Sequence, residues 1–211
     1  MHHSRSFVAA LLTGALAACT AHADGVPSPA NSTVPACVML VGHEGTEASF
    51  LGRFEVIVRD LANNPIGGEP VTFQMPGAPD LFIGGEQFDP AVVVDCAQKR
   101  VTKITDAAGR VQFSVVGWSN GVGGPVSLSH VGRISSANLG LLGIPSVAAF
   151  DLDGSGGVGA NDLSVWLEDF VLGQPVGRSD YDCSGTVGAN DLSVWLGAFG
   201  SASMSQSGTC P

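Results

Sequence analysis

Residues 158–167 read VGANDLSVWL, and residues 187–196 repeat that stretch letter for letter. Each copy follows a short run rich in Asp, Gly and Ser. A ten-residue identity within a chain of 211 residues indicates a duplicated structural unit. The chemistry of this unit therefore decides how the C-terminal part of the chain folds.

The acidic run before each copy has the spacing of a calcium loop. Loop one (residues 151–162) and loop two (residues 180–191) have oxygen-bearing side chains at loop positions 1, 3, 5 and 12, with glycine at position 6. A short loop supplies the oxygens that Ca²⁺ needs by wrapping around the ion, and position 7 adds a backbone carbonyl. The pattern predicts two calcium ions with these ligands: Asp151, Asp153, Ser155, the Gly157 carbonyl and Asp162 in loop one, and Asp180, Asp182, Ser184, the Thr186 carbonyl and Asp191 in loop two.

Apolar residues after each loop recur with the period of a helix. They stand at i, i+3, i+4 and i+7 and are Leu163, Trp166, Leu167 and Phe170 after loop one, and Leu192, Trp195, Leu196 and Phe199 after loop two. The pattern predicts one helix after each loop, with both tryptophans in the core. No helical pattern precedes either loop, so each unit is expected to be a loop followed by a helix.

A duplicated calcium loop followed by a helix resembles the type I dockerin module, and the resemblance covers Asp151 to about Phe199. It implies a small all-α module that folds around two calcium ions and docks onto a cohesin domain of an extracellular protein. It also implies partner contacts at the residue pair before the last ligand of each loop: Ala160, Asn161, Ala189 and Asn190. Many cellulosomal dockerins carry basic residues farther along each helix, where this chain has Leu167-Glu168 and Leu196-Gly197.

The N-terminus has the features of a signal peptide. Residues 7–18 are almost wholly apolar, and Ala21-His22-Ala23 offers a cleavage site, which predicts a signal peptide at residues 1–23. The alternative is a lipoprotein, because Leu16-Ala17-Ala18-Cys19 resembles a lipobox that would lipidate Cys19. Both interpretations place the mature chain outside the cytoplasm, either secreted or as an outer-membrane or surface lipoprotein. The apolar run is too short for a membrane span, and none is expected later.

Residues 34–150 read as seven or eight short β-segments separated by turns rich in Gly, Pro and Asn. The predicted segments are Cys37–Val41, Phe54–Arg59, Val71–Met75, Ala91–Asp95, Val101–Thr105, Val111–Val116, Val126–Val131 and Val147–Phe150. Such a series favours an antiparallel β-sandwich. Two stretches, Val58–Phe73 and Thr105–Phe113, resemble the bacterial Ig-like domains of invasin and intimin type, whose roles are spacing, display and adhesion.

The expected fold class is therefore a mainly β N-terminal domain joined to a small all-α C-terminal module. The Ig-like antiparallel β-sandwich would occupy residues 34–150, the dockerin-like module with its two calcium loop-helix units residues 151–200, and a C-terminal tail residues 201–211. Four cysteines remain in an oxidising compartment, where three pairings are open. The domain division predicts two disulfides, one within each half: Cys37–Cys96 and Cys183–Cys210.

Composition argues against several functions. The formal net charge is −10, and residues 151–200 hold eight acidic residues against Arg178 alone, so the chain lacks the basic surface of a nucleic-acid-binding protein. A catalytic constellation is not evident in the sequence. His43-Glu44 and His130 have no metal-ligand spacing, and the carboxylates Asp80, Glu86 and Asp89 read as solvated loop residues. The chain is therefore not expected to be an enzyme.

These features predict a secreted, non-catalytic modular protein. Calcium-dependent docking would attach its β-sandwich to a cohesin-like domain or to another extracellular protein. One alternative is a calcium-stabilised envelope or adhesion protein without a cohesin partner, and another is a carbohydrate-active accessory protein in polysaccharide breakdown. Chelation is expected to unfold residues 151–200 and to leave the sandwich intact, because six carboxylates cannot be held together without an ion.

Overall fold

The computed structural model describes residues 25–41, 50–76, 78–121, 130–172, 176–199 and 210. The predicted signal peptide, Cys19 and the tail apart from Cys210 lie outside the described residues. So does most of the predicted segment Val126–Val131.

The described residues form short β-strands followed by two α-helices. The strands are β1 Cys37–Leu40, β2 Arg53–Ile57, β3 Pro70–Gln74, β4 Leu81–Ile83, β5 Val93–Asp95, β6 Arg100–Ile104, β7 Arg110–Ser114, β8 Gly117–Ser119, β9 Arg133–Ser136, β10 Gly140–Gly143 and β11 Ser146–Ala149. The helices are α1 Ala160–Val171 and α2 Ala189–Ala198, and single turns of 3-10 helix occur at Cys96–Gln98 and Gly177–Ser179.

Strand β3 lies at the centre of a five-stranded antiparallel sheet with the order β10-β9-β3-β6-β5. In its register Phe73 is opposite Val101 of β6 on one side and Ile134 of β9 on the other. Alternate residues of β3 point to opposite faces, so Val71 and Phe73 are buried while their neighbours are only half-buried. This alternation explains why the β-branched and aromatic residues of the strand form one side of the core.

The remaining strands pair in twos, as β2 with β7, β4 with β8, and β1 with β11. The first two pairs are antiparallel, but β1 and β11 are parallel, which departs from the expected purely antiparallel arrangement. Phe54 of β2 joins this part to the large sheet, since its ring lies 5.2 Å from that of Phe113 and 5.7 Å from that of Phe73. The strands therefore pack around one core.

Four strands were not predicted, namely β4, β8, β9 and β10. Each has only three or four residues, and β8 and β10 contain glycine, which is depleted in strands. They form because they pair with neighbours: β4 with β8, and β10 with β9. Pairing of this kind leaves little trace in local sequence.

The expected fold class is wrong in its second half. Over its described residues the structure is mainly β with only two short helices, and the expected all-α C-terminal module is not seen. Instead the helical residues Trp166, Trp195 and Ala198 belong to the same buried cluster as the strand residues Leu40, Val147 and Ala149. The helical period identified apolar faces, but it could not show that β-strands cover them. The domain boundary at residue 150 stays a prediction.

The predicted disulfides are also wrong. The structure pairs Cys37 with Cys183 and Cys96 with Cys210, so that the bridges span 146 and 114 residues. The predicted pairs Cys37–Cys96 and Cys183–Cys210 rested on two separately folded halves. Because the halves share a core, each bridge instead joins the strand region to the C-terminal region.

Candidate metal centre

Three aspartates converge in loop one, and their three equivalents converge in loop two. In each set one carboxylate oxygen per residue lies within 4.8 Å of the others, and the sets are Asp151, Asp153 and Asp162, and Asp180, Asp182 and Asp191. Two carboxylate charges at such a separation repel by about 3 kcal/mol at an effective dielectric constant of about 20. A cation between the oxygens would turn this repulsion into attraction.

Backbone N–H groups hold the last aspartate of each loop. Asp162 Oδ1 accepts hydrogen bonds from Leu152 (2.6 Å) and Asp153 (3.0 Å), and its Oδ2 accepts one from Gly159 (2.7 Å), the N-cap of α1. Loop two repeats the arrangement: Asp191 accepts from Tyr181, Asp182 and Gly188 at 2.7, 3.0 and 2.8 Å. The same carboxylate thus closes the loop and stabilises the first turn of the helix, where a negative charge is favourable.

The first aspartate of each loop is held by the turn that follows it. Asp151 accepts from the N–H groups of Ser155 (3.1 Å) and Gly156 (2.9 Å), and Asp180 accepts from those of Ser184 (3.1 Å) and Gly185 (2.8 Å). Gly156 and Gly185 have φ angles of +89° and +84°, a region that favours glycine. This accounts for the glycine at position 6 of both loops.

Burial raises the pKa values of the loop-one carboxyls. Asp151 and Asp162 are fully buried, and burial together with the charge of Asp162 raises the pKa of Asp151 to about 8. Burial likewise raises the pKa of Asp162. For Asp153 burial, the largest single cause, acts in the same direction, but the hydrogen bonds with Ser155, Asp162 and Asp151 together outweigh it, and the pKa lies below its usual value. Burial therefore disfavours the ionised form of Asp151 and Asp162.

Loop two is more open to solvent. Asp182 is exposed, and hydrogen bonds from Ser184 lower its pKa. Burial raises the pKa of Asp180. The hydroxyl of Ser184 donates to the Thr186 carbonyl at 3.1 Å, so two further predicted ligands of this loop are adjacent.

The remaining predicted ligands and contacts lie at the surface. Ser155 is exposed and Gly157 half-exposed in the turn of loop one. The four predicted partner residues, which occupy the first turns of the helices, are all exposed: Ala160, Asn161, Ala189 and Asn190.

Loop two packs directly on the strands through Tyr181. Its ring stacks on Phe150 with a centroid distance of 5.1 Å, and its hydroxyl donates to the Ala149 carbonyl at 2.7 Å. The Trp195 indole donates to the Phe150 carbonyl at 3.1 Å. Trp195 and Trp166 are 0% and 2% exposed, which confirms that both tryptophans are core residues. The end of β11 is therefore a common attachment point for loop two and α2.

A buried ion-pair cluster attaches α1, and it was not predicted. Arg178 donates to both carboxylate oxygens of Asp169 at 2.8 Å, and to Asp80 at 3.3 Å. Ser179 donates to Asp169 at 2.6 Å, while Asp80 also contacts His130 Nε2 at 2.8 Å. Burial would lower the pKa of Arg178, but Asp169 outweighs it and raises the pKa. The partners are as many as 98 residues apart, so local sequence gives no sign of the cluster.

The structure does not bring the carboxylates Asp80, Glu86 and Asp89 together as a metal cluster within its described residues. Asp80 pairs with His130 and Arg178, and Asp89 pairs with Lys103. His43 and Glu44 lie outside the described residues.

No family model, curated protein or solved structure matches this chain. Within the part that the structure describes, neither helix has the length and apolar character needed to cross a membrane.

Proposed function

We propose that this protein is a secreted, non-catalytic calcium-binding protein that attaches to an extracellular partner. Each acidic loop binds one Ca²⁺, and the bound ions hold two helices on the β-core with their first turns facing solvent. The observation that carries the proposal is the convergence of three carboxylates in each loop, with an identical backbone frame in both.

The donor set supports calcium over other metals. The converging groups are all oxygens, which suit hard cations, whereas zinc sites draw on histidine and cysteine. Position 7 of such a loop adds a backbone carbonyl, and Ca²⁺ takes six to eight oxygens in all. Mg²⁺ prefers strict octahedral geometry and usually keeps several waters, so a loop that wraps an ion with many of its own oxygens suits it less well.

Attachment is supported by the exposed faces of the two helices. Four exposed residues in α1 are repeated in α2, and the pairs are Ala160 and Ala189, Asn161 and Asn190, Ser164 and Ser193, and Leu167 and Leu196. Buried pairs such as Trp166 and Trp195 are identical as well, and the exposed pair Glu168 and Gly197 differs. The four repeated exposed pairs give the two helices the same outward residues, so one partner can contact either helix in the same way. A cohesin-like domain is the partner that the sequence resemblance suggests.

Calcium titration calorimetry tests the first part of the proposal. The unaltered protein should bind two ions, and Asp162→Ala and Asp191→Ala should each bind one. Asp153→Asn and Asp182→Asn provide milder variants, because each replaced carboxylate accepts a hydrogen bond from the backbone N–H of the following serine, at 2.8 Å from Ser155 and 3.0 Å from Ser184. Glu168→Gln removes a charge from exposed α1 outside the loops and should still bind two ions. Two ions in both alanine variants would contradict the ligand assignment.

Attachment needs a separate test. An immobilised cohesin-like domain encoded in the same genome should retain the calcium-loaded protein and release it in EDTA. Ala160→Glu and Ala189→Glu should each preserve binding through the other helix, while the double variant should abolish it. If the calcium-loaded protein is not retained, the docking part of the proposal fails and a calcium-stabilised envelope or adhesion protein becomes the better description. The shared core and the two long-range disulfides favour that second candidate, because they tie the helices into the body of the protein.

A further inference from the structure

The two loops differ at position 4. Loop one has Gly154 there, with φ +70°, and loop two has Cys183, with φ +54°. Both backbones are in the left-handed region, which glycine enters freely and which costs a residue with a Cβ atom more. Loop two therefore adopts at this position a conformation that its own residue disfavours.

Each loop has a different support at this position. In loop one a Cβ atom on Gly154 would lie 3.0 Å from the Ser119 carbonyl and 3.0 Å from Trp118, so the loop packs closely against β8. In loop two Cys183 is joined by a disulfide to Cys37 at the start of β1. That strand pairs with β11, and its Leu40 carbonyl accepts from the N–H of Phe150. The bridge thus anchors the middle of loop two to the β1–β11 pair, whose residues Leu40 and Val147 belong to the core.

We propose that the Cys37–Cys183 disulfide controls the calcium affinity of loop two and leaves that of loop one unchanged. The inference rests on the proposed function, since it requires that loop two bind calcium. With the bridge intact, residue 183 is held in the left-handed conformation before the ion arrives. Without the bridge, residue 183 relaxes, and calcium binding must restore the disfavoured conformation. Preorganisation of this kind raises affinity without adding a ligand.

The bridge is open to chemical control. Cys37 and Cys183 are both half-buried, not enclosed, so a small thiol can reach them. A thiolate of dithiothreitol attacks one sulfur, forms a mixed disulfide and releases the other cysteine as a thiolate. The second thiol of the same molecule then attacks the mixed disulfide and releases the first cysteine. The protein disulfide gains two electrons and becomes two thiols, while dithiothreitol is oxidised to its cyclic disulfide. Reduction therefore removes the anchor and leaves the six carboxylates intact.

The test is calcium titration calorimetry on the full chain, with Cys96→Ser and Cys210→Ser in every sample so that only the Cys37–Cys183 bridge is reduced. Four samples are compared: bridged, reduced with dithiothreitol, C37S/C183S, and C37S/C183G. Reduction and the C37S/C183S substitutions (the serine pair) should each raise the Kd of one site by about tenfold. That factor corresponds to the cost of holding a residue with a Cβ atom in the left-handed conformation. The C37S/C183G variant (the glycine pair) also lacks the bridge, but a glycine at position 183 adopts the left-handed conformation freely. Its Kd should therefore return to within about threefold of the bridged value.

Two added substitutions show which loop gives the change in Kd and provide the control. With Asp162→Ala present, loop two alone remains and should show the tenfold change. With Asp191→Ala present, loop one alone remains, and reduction should change its Kd by less than about twofold, because close packing against β8 supports it instead.

Several outcomes would overturn the inference. These are an unchanged Kd for loop two on reduction, equal Kd values for the serine and glycine pairs, or an equal effect on loop one. If the serine pair does not fold by circular dichroism, the reduced sample and the glycine pair still decide the question. If the bridged protein binds no calcium at either loop, the proposed function fails instead.

Discussion

Loop one and loop two share one frame of hydrogen bonds but sit in different surroundings. Asp162 and Asp191 accept the same three backbone N–H bonds, at distances between 2.6 and 3.0 Å. The middle aspartate is half-buried in loop one (Asp153) and exposed in loop two (Asp182). Loop one is supported by packing against β8, whereas loop two is supported by a disulfide and by Tyr181.

The comparison distinguishes the hydrogen bonds that form within each loop from the support that the surrounding strands add. A duplicated sequence produces the same frame twice, because that frame consists of bonds within twelve residues. The environment of each copy depends on distant strands, so it differs between the copies. Features shared by the loops should therefore respond alike to a perturbation, and features set by the strands should respond differently.

Calcium removal acts on what the loops share, and it should have the largest effect. Each site filled at about 100 times its Kd stabilises the folded state by about 2.7 kcal/mol. Losing two such sites should lower the Tm by roughly 10–20 °C for a chain of this size. Because the helices and strands share one core, the transition recorded at 222 nm and by tryptophan fluorescence should remain single in EDTA.

That expectation replaces the one drawn from sequence, in which residues 151–200 unfold alone. Magnesium at the same concentration is the control and should restore little of the Tm, since Mg²⁺ fits the loops poorly. Two separate transitions in EDTA would show that the C-terminal region unfolds independently. An unchanged Tm would contradict calcium binding.

A pH titration should separate the loops. In the metal-free protein Asp151 keeps its proton up to a pKa of about 8, while in the unfolded chain it ionises near 3.8. Between these values the folded state binds more protons, so stability is greatest at the acid end and falls as pH rises. For one such proton, the free energy of unfolding falls by at most about 1.4 kcal/mol per pH unit.

Urea midpoints measured in chelator across this range provide the test. Asp151→Asn should flatten the decline, and Asp180→Asn should flatten it less because loop two is more open. Calcium binding should release protons, and loop-one affinity should rise more steeply with pH than that of loop two. A flat urea profile for the metal-free protein would refute the buried, proton-retaining state of Asp151.

The close packing of loop one against β8 can be tested by replacing one glycine in each loop with alanine. Gly154→Ala should cost about 2 kcal/mol, because the left-handed conformation disfavours alanine and the new Cβ meets the Ser119 carbonyl and Trp118. Gly185→Ala in loop two has a φ of +84° but nothing within 4 Å of the new Cβ, so only the conformational cost of about 1 kcal/mol applies. Equal losses in urea unfolding would show that β8 does not support loop one.

The features that depend on nearby residues could be predicted from the sequence, and few of those that depend on distant residues could. The spacing of acidic and glycine residues placed six aspartates that the structure brings into two clusters, because contacts within twelve residues follow from local order. The apolar period identified the positions of the helices for the same reason. It could not identify the strands that cover them, and this led to the incorrect all-α module.

Long-range pairing explains the other errors. The disulfides join residues more than a hundred positions apart, and the Arg178 cluster collects Asp80 from the strand region. Cysteine spacing permits three pairings and cannot select among them without a fold. Glycine-rich strands such as β10 form only because a partner strand is present.

The smallest expected difference concerns the two tryptophans. Trp195 Nε1 donates to the Phe150 carbonyl at 3.1 Å, whereas Trp166 Nε1 is buried without a hydrogen-bond partner among the described residues. Trp195→Phe and Trp166→Phe remove the same volume from the core, so packing losses should be similar. Trp195→Phe also leaves a carbonyl unpaired, while Trp166→Phe removes an unsatisfied N–H, and the two should differ by about 1 kcal/mol in urea unfolding. Equal values would mean that the indole bond to β11 adds no net stability, and that packing alone holds α2 on the strands.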